Sequence, residues 1–371
     1  MTPSRLPVRL AAGALIAALA AAAQASTKLP TGAKPATPAS VSTPKLDVKT
    51  WTLANGLKVL FLADHKAPIA TVQVFYHVGS KDEHLGIRAL AYLKHPYNWT
   101  AIGTIEDLET VTPADAQRFY DSYYQPNNAT LLVVGDVDEA TVRKLADEAF
   151  GSIPRGPAPP RTPVVEPPQT AARTATLPLE VQIPVVVGGY HIPGAADADV
   201  PALEVLATIL SGGESSRLHQ RLVRHDHLAI AAGGLTEPLE DPGLFIVYAA
   251  YLPDRDPAKV AAALAEEIAR VRDKPVTPEE LDRAKNQLAA GFVFGLQTVD
   301  GVAQALGHAE YVEGDWHRFT EGATRYLAVT AADVQRVAQK YLVDTNFTRV
   351  TLIPTAGAPA TPPTPPTGGA K

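Results

Sequence analysis

The chain has 371 residues, 46% of them hydrophobic and 19% charged, and this composition is typical of a globular protein and excludes a disordered or fibrous one. The formal net charge is −6 and the Lys and Arg residues are scattered, so no nucleic-acid partner is predicted. Cysteine is absent, which excludes disulfides and a lipid-modified cysteine but leaves the cellular compartment open.

The amino-terminal residues 1–25 have the pattern of a cleaved signal peptide. Two arginines precede an apolar run of fourteen residues, 10–23, and the small-x-small triplet Ala-Gln-Ala occupies 23–25. Because the run is shorter than the roughly 20 residues that span a bilayer, we expect cleavage after Ala25 and no integral membrane span in the mature chain. A retained membrane anchor is the alternative. The pattern favours a bacterial protein that is periplasmic or secreted.

Three segments rich in Pro, Ala and Thr divide the remainder of the chain. We interpret 26–47 as a flexible leader, 154–172 as a linker and 356–371 as a disordered tail, because each offers too little apolar surface to offset the entropy of ordering it. Two regions of ordinary composition, 48–153 and 173–355, lie between them and are predicted to be folded domains.

The end of each region contains the same pattern. In the first, Thr112 is a predicted N-cap, Pro113 the first residue of a helix that ends near Tyr124, and a turn and a β-rich run, 129–135, follow. In the second, a helix from Thr330 and a strand from 346 repeat the pattern. The identical pairs are separated by 218 residues: Thr112/Thr330, Asp115/Asp333, Gln117/Gln335, Arg118/Arg336, Tyr123/Tyr341, Asn128/Asn346 and Thr130/Thr348. This spacing indicates a duplication.

The beginnings of the two regions also pair, but with a different offset. Tyr76 and His77 correspond to Tyr190 and His191, 114 residues further along. From Tyr76 to Thr112 is 36 positions, whereas the corresponding interval in the second region is 140. The first region is therefore predicted to lack an interior of 104 residues that the second region contains.

Hydrophobic spacing and capping signals predict the elements of that interior in the second region. They are helices at 201–210 and 215–224, a strand at 244–252, a helix at 257–271, a long helix from the capping box Thr277–Glu280 to about 297, and short helices at 302–312 and 316–326.

These motifs resemble the insulinase/pitrilysin family of zinc metallopeptidases, the inverzincins. The matching stretches are 53–61, 78–83, 95–97, 124–129 and 133–136 in the first region, and 210–218 with 222–224 in the second. The resemblance extends from about 51 to 354. It implies an α+β fold of two tandem homologous insulinase-type domains, each a mixed or antiparallel sheet packed by helices, with the first domain truncated internally.

Catalysis in that family depends on the motif H-x-x-E-H, whose two histidines bind zinc and whose glutamate is the general base. A later glutamate completes the ligands, and the metal lowers the pKa of bound water to about 7. Here only eleven residues separate Glu83 from His95, and none of the ten histidines begins H-x-x-E-H or H-E-x-x-H. We therefore predict no catalytic residue, no metal ligand and no cofactor, although zinc is expected in intact members. His84 and His95 are interpreted as a solvated loop histidine and a turn histidine.

The remaining candidate residues for ligand binding are in the second region. The stretch 224–227, Arg-His-Asp-His, is dense in potential metal ligands, but a surface turn explains it more simply. An arginine and a tyrosine that bind substrate in some family members correspond to Val223 and Ile230, so that role is not transferred. The loop 215–217, Ser-Ser-Arg, is interpreted as a helix cap with a solvated arginine rather than a binding loop. Substrate-binding residues remain unknown.

Three hypotheses follow from these observations. The first is a non-catalytic companion that pairs through its second domain with a zinc-bearing insulinase-family homologue, as a hetero- or homodimer, with peptides as possible ligands. The second is an active zinc metalloendopeptidase of peptides with an unorthodox or partner-completed site. The third is a non-functional internal-deletion product, in which strand residues such as Val72, Val74 and Tyr76 would be exposed.

Overall fold

The structure is a computed structural model and describes residues 46–77, 87–98, 109–160, 164–179 and 181–355. The predicted signal peptide, most of the leader and the predicted tail lie outside the described residues. The first part of the chain forms β1 (Lys49–Thr52), β2 (Lys58–Ala63), β3 (Ala70–Tyr76), α1 (Ile87–Ala91), α2 (Pro113–Tyr123), β4 (Ala129–Gly135) and α3 (Glu139–Phe150).

The second part begins with β5 (Arg173–Leu179), β6 (Val185–His191), α4 (Val200–Ser211), a π-helix (His219–His225), β7 (Ala231–Glu237) and β8 (Leu244–Ala250). It continues with α5 (Pro257–Asp273), α6 (Pro278–Gly295), α7 (Val299–Tyr311), α8 (His317–Glu321), α9 (Thr324–Leu327), α10 (Ala331–Tyr341) and β9 (Phe347–Pro354). None of the helices in the described ranges is long and apolar enough to cross a membrane.

The strands form two mixed sheets. The first has the order β1-β2-β4-β3, with β2 parallel to β4 and the other pairs antiparallel. The second has the order β5-β9-β6-β8-β7, with β5 parallel to β9 and the other pairs antiparallel. Helices pack against both sheets. The fold is therefore α+β with mixed sheets packed by helices, as predicted.

Local capping signals fix the beginnings of three helices. Thr112 accepts a hydrogen bond from Asp115 N (3.2 Å) at the start of α2, and Thr330 accepts one from Asp333 N (3.1 Å) at the start of α10. Thr277 forms the same capping box at the start of α6. Each box satisfies backbone N–H groups that have no partner within the helix. These three predicted helix starts agree with the structure.

The turns that follow α2 and α10 are also alike. Asn128 Nδ2 donates to the carbonyl oxygens of Tyr123 (2.8 Å) and His77 (3.4 Å). Asn346 Nδ2 donates to those of Tyr341 (2.8 Å) and His191 (2.9 Å). An asparagine amide, buried at Asn128 and half-buried at Asn346, therefore joins the end of each helix to the neighbouring strand.

Each part of the chain contributes a helix that packs on the sheet of the other part. Helix α7, from the second part, packs on β3 and β4 of the first sheet. Buried side chains from both sides form this core: Leu60, Leu62, Leu132 and Val134 from the sheet, and Val302, Leu306, Trp316 and Phe319 from α7, α8 and the turn between them. Because each large apolar side chain contributes about 1.5–3 kcal/mol on burial, the first sheet depends on the second part of the chain.

Helix α1, from the first part, packs on the second sheet. Ile87, Tyr92 and Tyr97 pack with Ile246 and Leu352, all of them buried, in one hydrophobic cluster. The opposite face of the second sheet is covered by α4, α5 and α10, whose side chains form the largest core of the molecule.

The opposite face of the first sheet is only partly covered. Helix α3 packs on β2 and β4 through Val142 and Ala146. The outer face of β3 has no such cover, since Val72 is 65% and Val74 is 37% exposed. The deletion hypothesis expects this exposure of Val72 and Val74, but it also expects Tyr76 to be exposed, and Tyr76 is half-buried against the same cluster as Val142.

Candidate functional site

The zinc-binding region of the family would follow strand β3. This strand ends at Tyr76 and α1 begins at Ile87, so the chain passes between the two in ten residues. His84 lies in this interval, in the stretch 78–86 that is outside the described residues. The interval from β3 to α2 corresponds to the interval from β6 to α10 in the second part of the chain, which contains helices α4 to α9, the π-helix and strands β7 and β8.

His95 lies in a turn, as predicted, and it is buried there, with 6% exposure. Its ring packs against Tyr97, with the centroids 4.1 Å apart, and against Tyr92. Nδ1 accepts a hydrogen bond from Tyr97 N (3.2 Å), and Nε2 lies 3.4 Å from a carboxylate oxygen of Asp241. Both ring nitrogens are engaged within the protein, so His95 serves packing rather than ligand binding.

A set of polar contacts holds α1 in place next to His95. The guanidinium of Arg88 forms a buried ion pair with Glu237 (3.1 Å). Arg173 donates to the carbonyl oxygens of Leu90 and Ala91 at the end of α1, where a cation is favoured by the helix dipole.

The predicted linker contributes one more contact to this region. The carboxylate of Glu166 accepts three backbone N–H bonds, from Leu93 (2.8 Å), Lys94 (2.9 Å) and His95 (2.9 Å). Burial alone would raise the pKa of this carboxyl, but the three hydrogen bonds outweigh burial and lower it. The linker is therefore fixed to the protein at this residue, which its composition did not indicate.

The histidines of the stretch 224–227 lie on a surface turn. His225 is 87% exposed at the end of the π-helix, with Nδ1 2.7 Å from Asp226 Oδ1. His227 adopts a positive φ of 49°, and its Nδ1 lies 3.2 Å from Val223 O. Within the ranges that the structure describes, no group of three His, Asp or Glu side chains is arranged to hold a metal ion. The described residues do not fit zinc, and we derive no chemical step through it.

The positions that correspond to the substrate-binding arginine and tyrosine of the family are occupied by two apolar residues. Val223 packs against the large core, and Ile230 is 47% exposed just before β7. The neighbouring Arg224 is largely exposed and lies 3.9 Å from a carboxylate oxygen of Glu214.

The interpretation of Arg217 as a solvated arginine is wrong. Its guanidinium forms two hydrogen bonds to the carboxylate of Glu280, at 2.6 and 2.7 Å, and each side chain is only 17% exposed. The pair raises the pKa of Arg217 and lowers that of Glu280, mainly through these hydrogen bonds. Arg217 thus joins the π-helix segment to α6.

A polar cleft of about 450 Å³ lies between the loop before α4 and helices α8 and α9. Asp197, Asp315, Arg318, Glu321 and Arg325 supply its charged groups. The lining residues include no Ser, Thr, Cys or His that could act as a nucleophile or as a histidine base. The cleft can hold a small polar molecule but has no recognisable catalytic arrangement. The sequence did not indicate this cleft, because the charged residues that line it are separated by more than a hundred positions in the chain.

Ion pairs fix the side chain of Arg325, which lines the cleft. Arg325 donates to Glu313 (3.0 Å) and lies 3.9 Å from Glu204. Burial raises the pKa of Glu204 above its ordinary value, although Arg325 opposes the rise.

Comparisons with known proteins place the chain in a family. Residues 110–288 match the family model described as the peptidase M16 inactive domain. The zinc protease PqqE of Helicobacter pylori is 35% identical over 272 residues, which cover 71% of this chain and 60% of that protein. An uncharacterized zinc protease of Mycobacterium tuberculosis H37Rv is 32% identical over 257 residues, which cover 67% of this chain and 57% of that protein. The chain therefore spans less than two thirds of the length of these relatives.

Solved structures agree with this comparison. A protease from Helicobacter pylori superimposes with a TM-score of 0.78 and 25% identity, covering 83% of this chain and 100% of that one. The peptidase M16 inactive domain from Pseudomonas fluorescens (TM-score 0.73, 15% identity, 84% and 99% coverage) shares the fold. So does the first half of the periplasmic protease PqqL from Escherichia coli (0.63, 14%, 82% and 92%). The chain belongs to the insulinase/pitrilysin family, peptidase family M16.

Proposed function

We propose that this chain is a non-catalytic member of its family, a companion subunit that pairs with a zinc-bearing homologue. One observation carries the proposal: 36 positions separate Tyr76 at the end of β3 from Thr112 at the start of α2, whereas 140 separate Tyr190 from Thr330 in the second part of the chain, and only nine of the 36, residues 78–86, lie between His77 and α1. An α-helix of H-x-x-E-H type, the strands after it and a distal glutamate do not fit in nine residues, which reach at most about 30 Å.

The duplication that underlies this argument is supported by local structure. Helices α2 and α10 begin with the same capping box, and the same asparagine bonds follow each of them. We therefore assign one truncated domain to 48–153 and one intact domain to 173–355, joined by the linker 154–172.

The intact domain is the proposed pairing module. Its five-stranded sheet is covered on one face by its own helices α4, α5 and α10 and on the other by α1 of the first part. The apolar run and cleavage triplet at 1–25, and the resemblance in fold to a periplasmic protease, support export to the periplasm.

Metal content and hydrolysis test the proposal directly. The chain from residue 26 onward is purified without a chelator, its zinc content is measured by mass spectrometry, and cleavage of unstructured peptides is assayed with and without a chelator. We expect substoichiometric zinc and no chelator-sensitive cleavage by the chain alone. Addition of an intact H-x-x-E-H homologue from the same genome is expected to give a stable complex. Stoichiometric zinc together with chelator-sensitive cleavage by the chain alone would refute the proposal.

The second candidate, an active metallopeptidase with an unorthodox site, is supported by the names of the relatives, which are zinc proteases. It requires that His84→Ala or His225→Ala abolish a measurable peptidase activity. The companion proposal predicts that neither substitution changes zinc content or cleavage, and the exposure of His225 supports that expectation.

The third candidate, an internal-deletion product, is supported by the exposure of Val72 and Val74 on β3. Sequencing of the locus tests it: the missing segment is present there if the gene model is faulty and absent if the segment was deleted, and poor folding of the purified chain is expected of a non-functional deletion product.

A further inference from the structure

The polar cleft between the loop before α4 and helices α8 and α9 is lined by two kinds of side chain. The loop and the start of α4 contribute small apolar side chains, those of Ala195, Ala196, Ala198 and Pro201. Five charged side chains complete the lining: Asp197, Asp315, Arg318, Glu321 and Arg325. A volume of about 450 Å³ with small apolar and charged groups suits a small molecule that has both a hydrocarbon part and charges.

Arg318 is a cation of this cleft whose charge is not balanced by a neighbour. Its side chain is half-buried on α8, and its guanidinium has no hydrogen bond or ion pair with any residue in the part of the chain that the structure describes. The other guanidinium of the cleft, that of Arg325, already donates to the buried carboxylate of Glu313 (3.0 Å). Because a guanidinium presents a rigid fork of N–H donors that matches a carboxylate, Arg318 is suited to the carboxylate of a ligand.

Carboxylates outnumber unpaired cations in the cleft. Glu321 is exposed, has no ion pair with another described residue, and follows Arg318 by three positions, on the same side of α8. Asp197 lines the cleft from the loop. Asp315 is held ionised, because hydrogen bonds from the backbone N–H (2.9 Å) and the ring of His317 lower its pKa. The lining therefore attracts the ammonium and guanidinium groups of a ligand.

Two simpler classes of ligand leave part of this lining unsatisfied. An inorganic anion or a dicarboxylate pairs with Arg318 but brings its charge next to three carboxylates. A diamine pairs with the carboxylates but leaves the guanidinium of Arg318 without an anion. A molecule with one carboxylate and two cationic groups satisfies both kinds of charge, and its net positive charge opposes the acidic excess of the cleft.

We propose that this cleft is a binding site for a free basic α-amino acid, such as arginine or lysine. The carboxylate of the amino acid accepts hydrogen bonds from the guanidinium of Arg318, and its α-ammonium donates to Glu321. Side chains three positions apart on a helix have Cβ atoms about 5–6 Å apart, which fits the short separation of carboxylate and ammonium in an α-amino acid. The methylene groups of the ligand lie against the small side chains of the loop, and its side-chain cation pairs with Asp197 or Asp315.

Isothermal titration calorimetry of the purified chain from residue 26 onward with L-arginine tests the proposal. The wild type is expected to bind one molecule per chain in a saturable manner. Arg318→Gln is expected to weaken this binding at least about tenfold, because it removes a hydrogen-bonded charge pair. Arg224→Gln is the matched control, since Arg224 is largely exposed on the π-helix outside the cleft, and it is expected to leave the affinity unchanged.

Two analogues of arginine identify the groups that each residue contacts. Agmatine lacks the carboxylate, so the wild type is expected to bind it at least about tenfold more weakly than L-arginine, and Arg318→Gln is expected to bind the two compounds equally. Nα-acetyl-arginine lacks the α-ammonium and is expected to have the same relation to Glu321→Gln. Both variants are expected to keep the circular dichroism of the wild type, because neither side chain has a hydrogen-bonded partner among the described residues.

Three outcomes would overturn the proposal. The first is the absence of binding with both L-arginine and L-lysine. The second is an affinity for L-arginine that Arg318→Gln and Glu321→Gln both leave unchanged, which would mean that binding occurs elsewhere. The third is an equal affinity for the dipeptide Gly-Arg, which has an amide in place of the α-ammonium of arginine and would assign the cleft to the end of a peptide. The inference is separate from the companion role, because neither a homologue nor zinc takes part in the measurement.

Discussion

Replacement of Asp199 by Asn removes the carboxylate that joins helix α10 to the start of helix α4. Oδ1 accepts a hydrogen bond from Arg336 (2.6 Å), and Oδ2 accepts one from Lys340 (2.8 Å) and one from the Tyr341 hydroxyl (2.8 Å). Asp199 itself is only 7% exposed. Asparagine has the same size but offers one acceptor oxygen and no negative charge.

The pKa of Asp199 gives the magnitude of the effect. Burial alone would raise this pKa, but the bonds from Lys340, Arg336 and Tyr341 outweigh it and lower the pKa from 3.8 to about 2. Because one pKa unit corresponds to about 1.4 kcal/mol, the charge contributes up to about 2 kcal/mol, less whatever solvent screens at the half-exposed Arg336 and Lys340. The folded-state pKa is lowered, so this contribution is complete above pH 4 and is lost as the pH falls towards 2.

Urea unfolding followed by circular dichroism measures this contribution. At pH 7 the Asp199→Asn variant is expected to unfold with a free energy about 2 kcal/mol below that of the wild type, and the difference is expected to fall to about half at pH 3. The control is Asp344→Asn, whose 94% exposed carboxylate is expected to change stability by less than about 0.5 kcal/mol. A variant as stable as the wild type at pH 7, or a difference that is the same at pH 7 and pH 3, would refute the reasoning.

Two further substitutions test the packing of α7 and α1 by the same unfolding assay. A Cβ at Gly307 of α7 would lie 2.6–3.0 Å from the ring of Phe75, so Gly307→Val is expected to destabilise the protein by about 1–3 kcal/mol. Gly291 on α6 has open space around it, so Gly291→Ala is expected to stabilise the protein by up to about 1 kcal/mol. Equal effects of the two substitutions would contradict the packing of Gly307 against Phe75. Arg88→Ala removes the guanidinium partner of the buried Glu237 carboxylate and is expected to cost about 3 kcal/mol, so an unchanged unfolding midpoint would argue against a role of this pair in holding α1.

The elements that the sequence predicted well are those with local signals. Thr112, Thr277 and Thr330 each precede a helix with an acidic residue three positions later, and the structure contains a capping box at all three. Such a box is made within four residues, so it does not depend on the remainder of the fold. The helix predicted at 201–210 likewise has the apolar spacing of a helix and is α4 in the structure.

Features that depend on distant parts of the chain could not be predicted in this way. The exchange of α1 and α7 between the sheets places Tyr92 under the second sheet and Leu306 under the first. Nothing in either helix specifies which sheet it covers, because an apolar stripe fits either one. The burial of His95 and the docking of Glu166 follow from this placement of α1, so the sequence indicated neither.

The same distinction separates α2 from α10. Their caps and following turns are alike because these are local, whereas the cover of their apolar faces is tertiary and is present only for α10. In α10 this face has the small side chains of Val337 and Ala338, which are fully buried under α4 and α5. At the corresponding positions α2 has Phe119 and Tyr120, whose bulk suits an open contact and, in the tyrosine, a hydroxyl that can remain in water. Phe119 and Tyr120 therefore leave more apolar surface in contact with water than Val337 and Ala338 do, because a tertiary cover is present for α10 and not for the described part of α2.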